Sequence, residues 1–265
     1  MELGLGGRRA VVTGGTKGIG RAIADELLAE GASVAFCARH GEEVKQAEAE
    51  LRRAHGEHDG DRVFGFVADV TRADEIGRFI EEAASALGGI DIVVNNAGAA
   101  HPGNFESLTD DDWKQDLDVK LFSQIRCVRA SLGHLRKSAA PRIVNVNAVY
   151  GKYPDPAFFA TTVNRAACLN LTKVLAQEFG PEGILVNSVN IGFVVTPQWE
   201  NIRERRAPES SADDFFAGLA KAEVPLGRFG TADEVSGVVA FLASDRASYV
   251  TGAMVDVAGG MGKYV

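Results

Sequence analysis

Thr13-Gly14-Gly15-Thr16-Lys17-Gly18-Ile19-Gly20 is the stretch on which the fold turns. The run before it, Ala10 to Thr13, is apolar and strand-like. After it, Ile19 to Glu30 carries Ile23, Leu27 and Leu28 at helical spacing, and Gly31 follows as a stop. A strand therefore passes into a helix through a turn with glycines at 14, 18 and 20. That G-x-x-x-G-x-G spacing lets the backbone turn tightly and brings a pyrophosphate onto the N-terminal amides of the helix. In a chain with 30 glycines among 265 residues the spacing alone is weak evidence, and its place in the first strand-to-helix turn gives it weight.

The same alternation continues to the end of the chain. Further strand-like runs are Ser33 to Ala38, Val63 to Val67, Ile90 to Asn95, Arg142 to Val146, Ile184 to Asn190 and Ala253 to Val257, with helix-length amphipathic segments between them. Repeated βα units of this kind predict an α/β fold: a single doubly wound (Rossmann) domain over residues 1–265, with a parallel sheet of about seven strands, helices on both faces and a ligand crevice at the carboxyl ends of the strands. One stretch breaks the rhythm. Residues 197–222 are polar and helix-prone, and an insertion there reads as a substrate lid.

Composition narrows the function. Hydrophobic residues at 46% and charged residues at 24% are ordinary for a globular protein. A net charge of -8 disfavours nucleic acid or an anionic membrane surface as partner. Cys37, Cys127 and Cys168 form neither a disulfide framework nor a metal-ligand spacing, so no metal is expected and a reducing cytoplasm fits. The longest purely hydrophobic run, Val238 to Ala243, is too short to span a membrane, and Met1 to Arg9 has no signal-like apolar region.

Taken with these features, the Thr-Gly-x-x-x-Gly-Ile-Gly string and Asn95-Asn96-Ala97-Gly98 at the end of the fourth strand resemble the short-chain dehydrogenases/reductases. Asp69-Val70 looks like that family's adenine-holding pair. Ile191-Gly192-Phe193-Val194-Val195-Thr196 resembles its segment around the nicotinamide, with Ile191 in place of a proline, and Tyr249-Val250-Thr251-Gly252 with Gly259-Gly260 resembles its C-terminal strand region. The resemblance implies a nicotinamide cofactor held by Gly14, Thr16, Lys17, Gly18, Ile19, Gly20, Arg39, Asp69, Val70, Asn96, Ala97, Gly98, Arg165, Gly192, Val194 and Thr196. It also implies a small-molecule substrate and a homodimer or homotetramer, paired through the helix from Ala160 to Phe179 and the segment from Tyr249 to Val265. At the end of the second strand Arg39 stands where an NAD site usually has an acid. With Lys17 on the facing loop it suits a 2′-phosphate, so NADP(H) is preferred and NAD(H) is possible.

The family's Asn, Ser, Tyr and Lys positions read Lys120, Ala148, Thr161 and Arg165. A threonine alcohol is a far weaker acid than a phenol of pKa about 10, and an arginine is always protonated, so the tyrosine relay of the family is absent. Three readings follow: an oxidoreductase whose acid has moved, a nucleotide-binding pseudoenzyme acting as partner subunit or sensor, and a non-redox catalyst using the same crevice. For the first, Lys120 and Arg165 should approach one pocket, where a like charge and burial would lower the lysine's pKa. Tyr150, Tyr153 and His101 are rival donors, and each candidate has a plainer alternative: a solvated or phosphate-seeking cation for Lys120, rim packing for the two tyrosines and an exposed loop for His101. Arg203, Arg205 and Arg206 in the insertion read as a solvated face or as contacts for an anionic substrate.

Overall fold

The computed structural model describes residues 2–56, 62–99 and 101–262. Seven strands form one parallel sheet: β1 (Arg9–Thr13), β2 (Ser33–Ala38), β3 (Val63–Val67), β4 (Ile92–Asn95), β5 (Arg142–Ala148), β6 (Leu185–Ile191) and β7 (Met254–Val257). The ends of all seven lie within two residues of the runs read from the sequence. Their order is β3-β2-β1-β4-β5-β6-β7, so the chain reverses its direction of winding between β1 and β4. Ligands of such sheets bind at that switch point.

The helices lie on both faces. Helices α1 (Gly18–Ala29), α2 (Gly41–Ala54) and α3 (Ala73–Leu87) alternate with the first four strands. Next come α4 (Asp110–Leu117), a π-helical turn (Asp118–Phe122), α5 (Ser123–Leu135), α6 (Phe159–Phe179) and α9 (Ala232–Ala243). Two buried clusters result. One packs Ile23, Leu27 and Val239 against Val12, Phe36 and Val144, and the other packs Phe79, Ile80 and Cys127 against Val11, Val93 and Ile143. Side chains alternate across each strand, so the two clusters take opposite faces of the sheet. The segment expected as an insertion forms two helices, α7 (Pro197–Arg206) and α8 (Ala212–Glu223). No helix among the described residues is long and apolar enough to cross a membrane. Residues 263–265, the end of the segment expected as an interface, lie outside the described residues.

Candidate active site

The glycine turn builds one end of a cavity of about 500 Å³ at the carboxyl ends of β1 to β6. Gly14 and Gly18 take φ of 70° and 55°, a region costly for any residue with a Cβ. The first turn of α1 has no acidic residue and no side-chain cap, so its amides are left for an anion. A Cβ on Gly20 would run into the Gly14 carbonyl oxygen. The Asn95–Gly98 segment is tied to this turn: the Thr13 hydroxyl accepts from the backbone N–H of Asn96 and of Ala97, each at 3.0 Å, and Asn96 Nδ2 donates to the Thr13 carbonyl at 3.0 Å. This cradle fits a dinucleotide.

At the adenosine end the cavity is lined by Thr16, Lys17, Arg39, Asp69 and Val70. Arg39 is exposed and makes no hydrogen bond or ion pair among the described residues. Lys17 differs from the expectation of a second free cation, because its Nζ lies 3.5 Å from Glu43, which also lines the cavity. Ile19, Asn96, Ala97, Gly98, Gly192, Val194 and Thr196 line the same space.

At the other end the structure brings Lys120, Thr161, Arg165 and Ala148 to one wall. Lys120 sits in the π-helical turn, only 1% exposed, and forms an ion pair with the equally buried Asp116. Asp116 also accepts from Asn164 Nδ2 at 2.8 Å and from the Thr161 hydroxyl at 3.4 Å. Burial and the neighbouring Arg165 cation push Lys120 down to about 8, against the opposing pull of Asp116. Arg165, 8% exposed, donates from Nη1 to the Val146 carbonyl at 3.1 Å and to Asn147 Oδ1 at 3.0 Å. Its Nη2 lies beneath Gly98, where a Cβ would come within 2.9 Å.

The rival donors are placed differently. Tyr150 lines the cavity but stacks on Phe158, with ring centroids 5.1 Å apart, and burial pushes its phenol up. Tyr153 lies outside the cavity lining, packed with Tyr150 against the cluster of Phe193, Phe216 and Phe229. His101 lines the cavity and pairs with Asp112 at 3.2 Å. Arg203 does not face the cavity. It pairs with Glu200 and donates to the Ser210 carbonyl at 3.1 Å, tying α7 to the turn before α8.

Asp116, Asn164 and Asn147 were not found from sequence. Asp116 left one readable sign, since an acid four residues before a lysine on a helix is a pairing position. Asn164 and Asn147 left none that separates them from other buried amides.

Sheet order, switch-point crevice and glycine cradle together define a doubly wound α/β protein of the dinucleotide-binding class. The family model described as enoyl-(acyl carrier protein) reductase matches residues 14–262. The chain belongs to the short-chain dehydrogenase/reductase family of oxidoreductases. It is 34% identical over 261 residues to a 3-oxoacyl-[acyl-carrier-protein] reductase of Aquifex aeolicus (strain VF5), covering 98% of this chain and 100% of that one. Among solved structures it is similar to the NADPH-bound form of a short chain oxidoreductase from Pseudomonas aeruginosa PAO1 described as containing an atypical catalytic center. That likeness is 40% identity over 97% of each chain, with a TM-score of 0.89. It is also similar to L-sorbose reductase from Gluconobacter frateurii, complexed with NADPH and L-sorbose, at 28% identity over 100% of both chains and a TM-score of 0.95.

Proposed function

We propose that this chain is an NADP(H)-dependent carbonyl/alcohol oxidoreductase in which Lys120, not a tyrosine, carries the substrate proton. The observation that supports this is the buried ammonium of Lys120, at the cavity wall beside Asp116 and Arg165 and pushed down to about 8. A group poised near neutrality can both give and take a proton.

Bound in the crevice, the nicotinamide cofactor supplies or accepts a hydride. The chain's own residues do the rest. The amides of Gly18, Ile19 and Gly20 would hold the pyrophosphate, Asp69 and Val70 would flank the adenine, and Arg39 would meet the 2′-phosphate, with Lys17 joining it on leaving Glu43. Asn96, Ala97, Gly98, Gly192, Val194 and Thr196 line the nicotinamide half, and Arg165 holds a fixed positive charge there. In reduction Lys120 Nζ gives its proton to the carbonyl oxygen, and in oxidation it takes the alcohol proton back. Asp116 holds the ammonium in place and is itself held by Asn164. Tyr150, Phe158, Phe193 and Trp199 make an aromatic wall that suits a small carbonyl compound with an apolar body. The α7–α8 segment acts as its lid. Assembly through α6 into a dimer or tetramer belongs to the same proposal, supported by Val163 and Val174 of α6, 49% and 53% exposed. The two NADPH-bound relatives support the cofactor choice.

The test is titration with NADPH and NADH by fluorescence, then turnover on a panel of carbonyl compounds across pH. NADPH should bind more tightly, and reduction should fall above about pH 8 as Lys120 loses its proton. Lys120→Met, made together with Asp116→Asn so that no buried charge is stranded, should keep NADPH binding and lose about a hundredfold or more in rate. Unchanged rates in that variant remove Lys120 as the acid. NADPH binding without turnover of any compound replaces the oxidoreductase with a nucleotide-binding subunit.

A further inference from the structure

Buried parallel strands are normally apolar on both faces. On the face of the sheet that carries α5 and α6, β5 and β6 begin that way with Ile143 and Val186, then switch to Asn145, Asn147, Ser188 and Asn190, all fully buried. Asn147 lies opposite Asn190 in the β5–β6 register, and Asn190 lies opposite Asp256 on the edge strand β7. Their side chains join into one line. Arg165 Nη1 donates to Asn147 Oδ1 at 3.0 Å, Asn147 Nδ2 to the Ser188 hydroxyl at 2.9 Å, that hydroxyl to Asn190 Oδ1 at 2.7 Å, and Asn190 Nδ2 to Asp256 Oδ1 at 2.7 Å.

The two ends dictate the direction. A guanidinium can only donate and a carboxylate can only accept. Because Asp256 takes the amide of Asn190, the oxygen of Asn190 must face Ser188. The hydroxyl of Ser188 must then point to Asn190 and leave its lone pair to Asn147, whose oxygen is thereby turned to Arg165. Every donor points the same way, from buried cation to half-exposed anion. Lys152 Nζ, which also can only donate, pins the same Asp256 oxygen at 2.7 Å from the solvent side. Lys120 has Asp116 beside it, but Arg165 has no ion-pair partner among the described residues, so this line supplies its compensation from across three strands.

We propose that Asp256 is a positioning residue for Arg165: its carboxylate sets the polarity of the Asn190–Ser188–Asn147 line and so presents an acceptor to the guanidinium at the cavity wall. Without an acceptor at 256 the direction of the line rests on the Arg165 end alone, where Gln124 Nε2 also donates to Asn147 Oδ1 at 3.0 Å, and the acceptor offered to the guanidinium is held less firmly. The consequence for ligand binding rests on the role given to Arg165 above.

The test reads Arg165 directly and the cofactor separately. The guanidinium 15N resonances of Arg165, identified by their loss in Arg165→Met, should show slow rotation in the native protein and in Asp256→Asn, whose oxygen still accepts from Asn190 and Lys152. In Asp256→Leu, and in Asp256→Ala if the leucine variant does not fold, they should average to a fast-rotating signal. Unchanged Arg165 resonances in the variant that folds overturn the proposal. NADPH affinity should fall about tenfold in Asp256→Leu and less than about twofold when the same change is made in Arg165→Met. Equal losses in both backgrounds also overturn it, because the effect then bypasses Arg165. Averaged resonances with unchanged NADPH affinity uphold the positioning of Arg165 and instead remove Arg165 from the cofactor site.

Discussion

A methyl group added at Gly20 meets the Gly14 carbonyl and the Asn96 amide, two groups already bonded to each other at 3.2 Å. Neither can withdraw without opening the cradle. Gly20→Ala should therefore weaken NADPH binding by about tenfold or more, measured by fluorescence titration, while circular dichroism stays native. Residues of this kind were legible, because a tight turn leaves its mark within eight positions. The pair Lys120 and Arg165 was legible as charge in unusual places, but its chemistry was not. What makes Lys120 a candidate acid is burial beside Arg165, what holds it in place is Asp116, and what steadies Asp116 is Asn164, 48 residues later. Burial of that group of side chains, which no spacing reports, sets the lysine's protonation.

Elements explain how those residues meet. The π-helical turn Asp118–Phe122 between α4 and α5 inserts an extra residue into the helical phase and swings Lys120 inward. A single wide turn leaves the apolar pattern of the flanking helices almost intact, so periodicity does not report it. Helix starts here carry local marks. Asp110, Asp111 and Asp112 open α4, where Thr109 and Asp112 form a capping box. The same device opens α9, with Thr231 and Glu234, and Arg228 holds the glutamate from outside at 2.6 Å. Thr231→Ala should lower stability by about 1 kcal/mol in urea unfolding at pH 7. The Arg228 and Thr231 contacts hold Glu234 at about 2, below its ordinary 4.5. Its contribution is thus complete above about pH 4.5 and is lost as the pH falls toward 2, so the native protein and Glu234→Gln should converge in stability over that window.

At the scale of the whole molecule, the sheet order places one crevice where the winding reverses, and the glycine cradle, the Lys120 wall and the aromatic cluster all open into it. A ligand spanning that crevice touches loops that follow six strands, so it should stabilise the entire fold. NADPH at about a hundred times its dissociation constant should raise the melting temperature by roughly 5 °C or more, and NADH at the same concentration by less. Equal shifts from the two nucleotides would remove the 2′-phosphate role of Arg39.

The amino-acid sequence by itself determined the βα alternation, the glycine turn between β1 and α1, and the family. These are local or periodic properties, written within a few turns of chain. Tertiary structure alone decided which buried charges are neighbours: Asp116 with Lys120 and Asn164, Lys17 with Glu43, and Arg165 with a line of amides ending at Asp256. The reason is physical. A buried polar group takes whatever partner the packed strands and helices bring within about 3 Å, and that partner is set by register and topology rather than by distance along the chain.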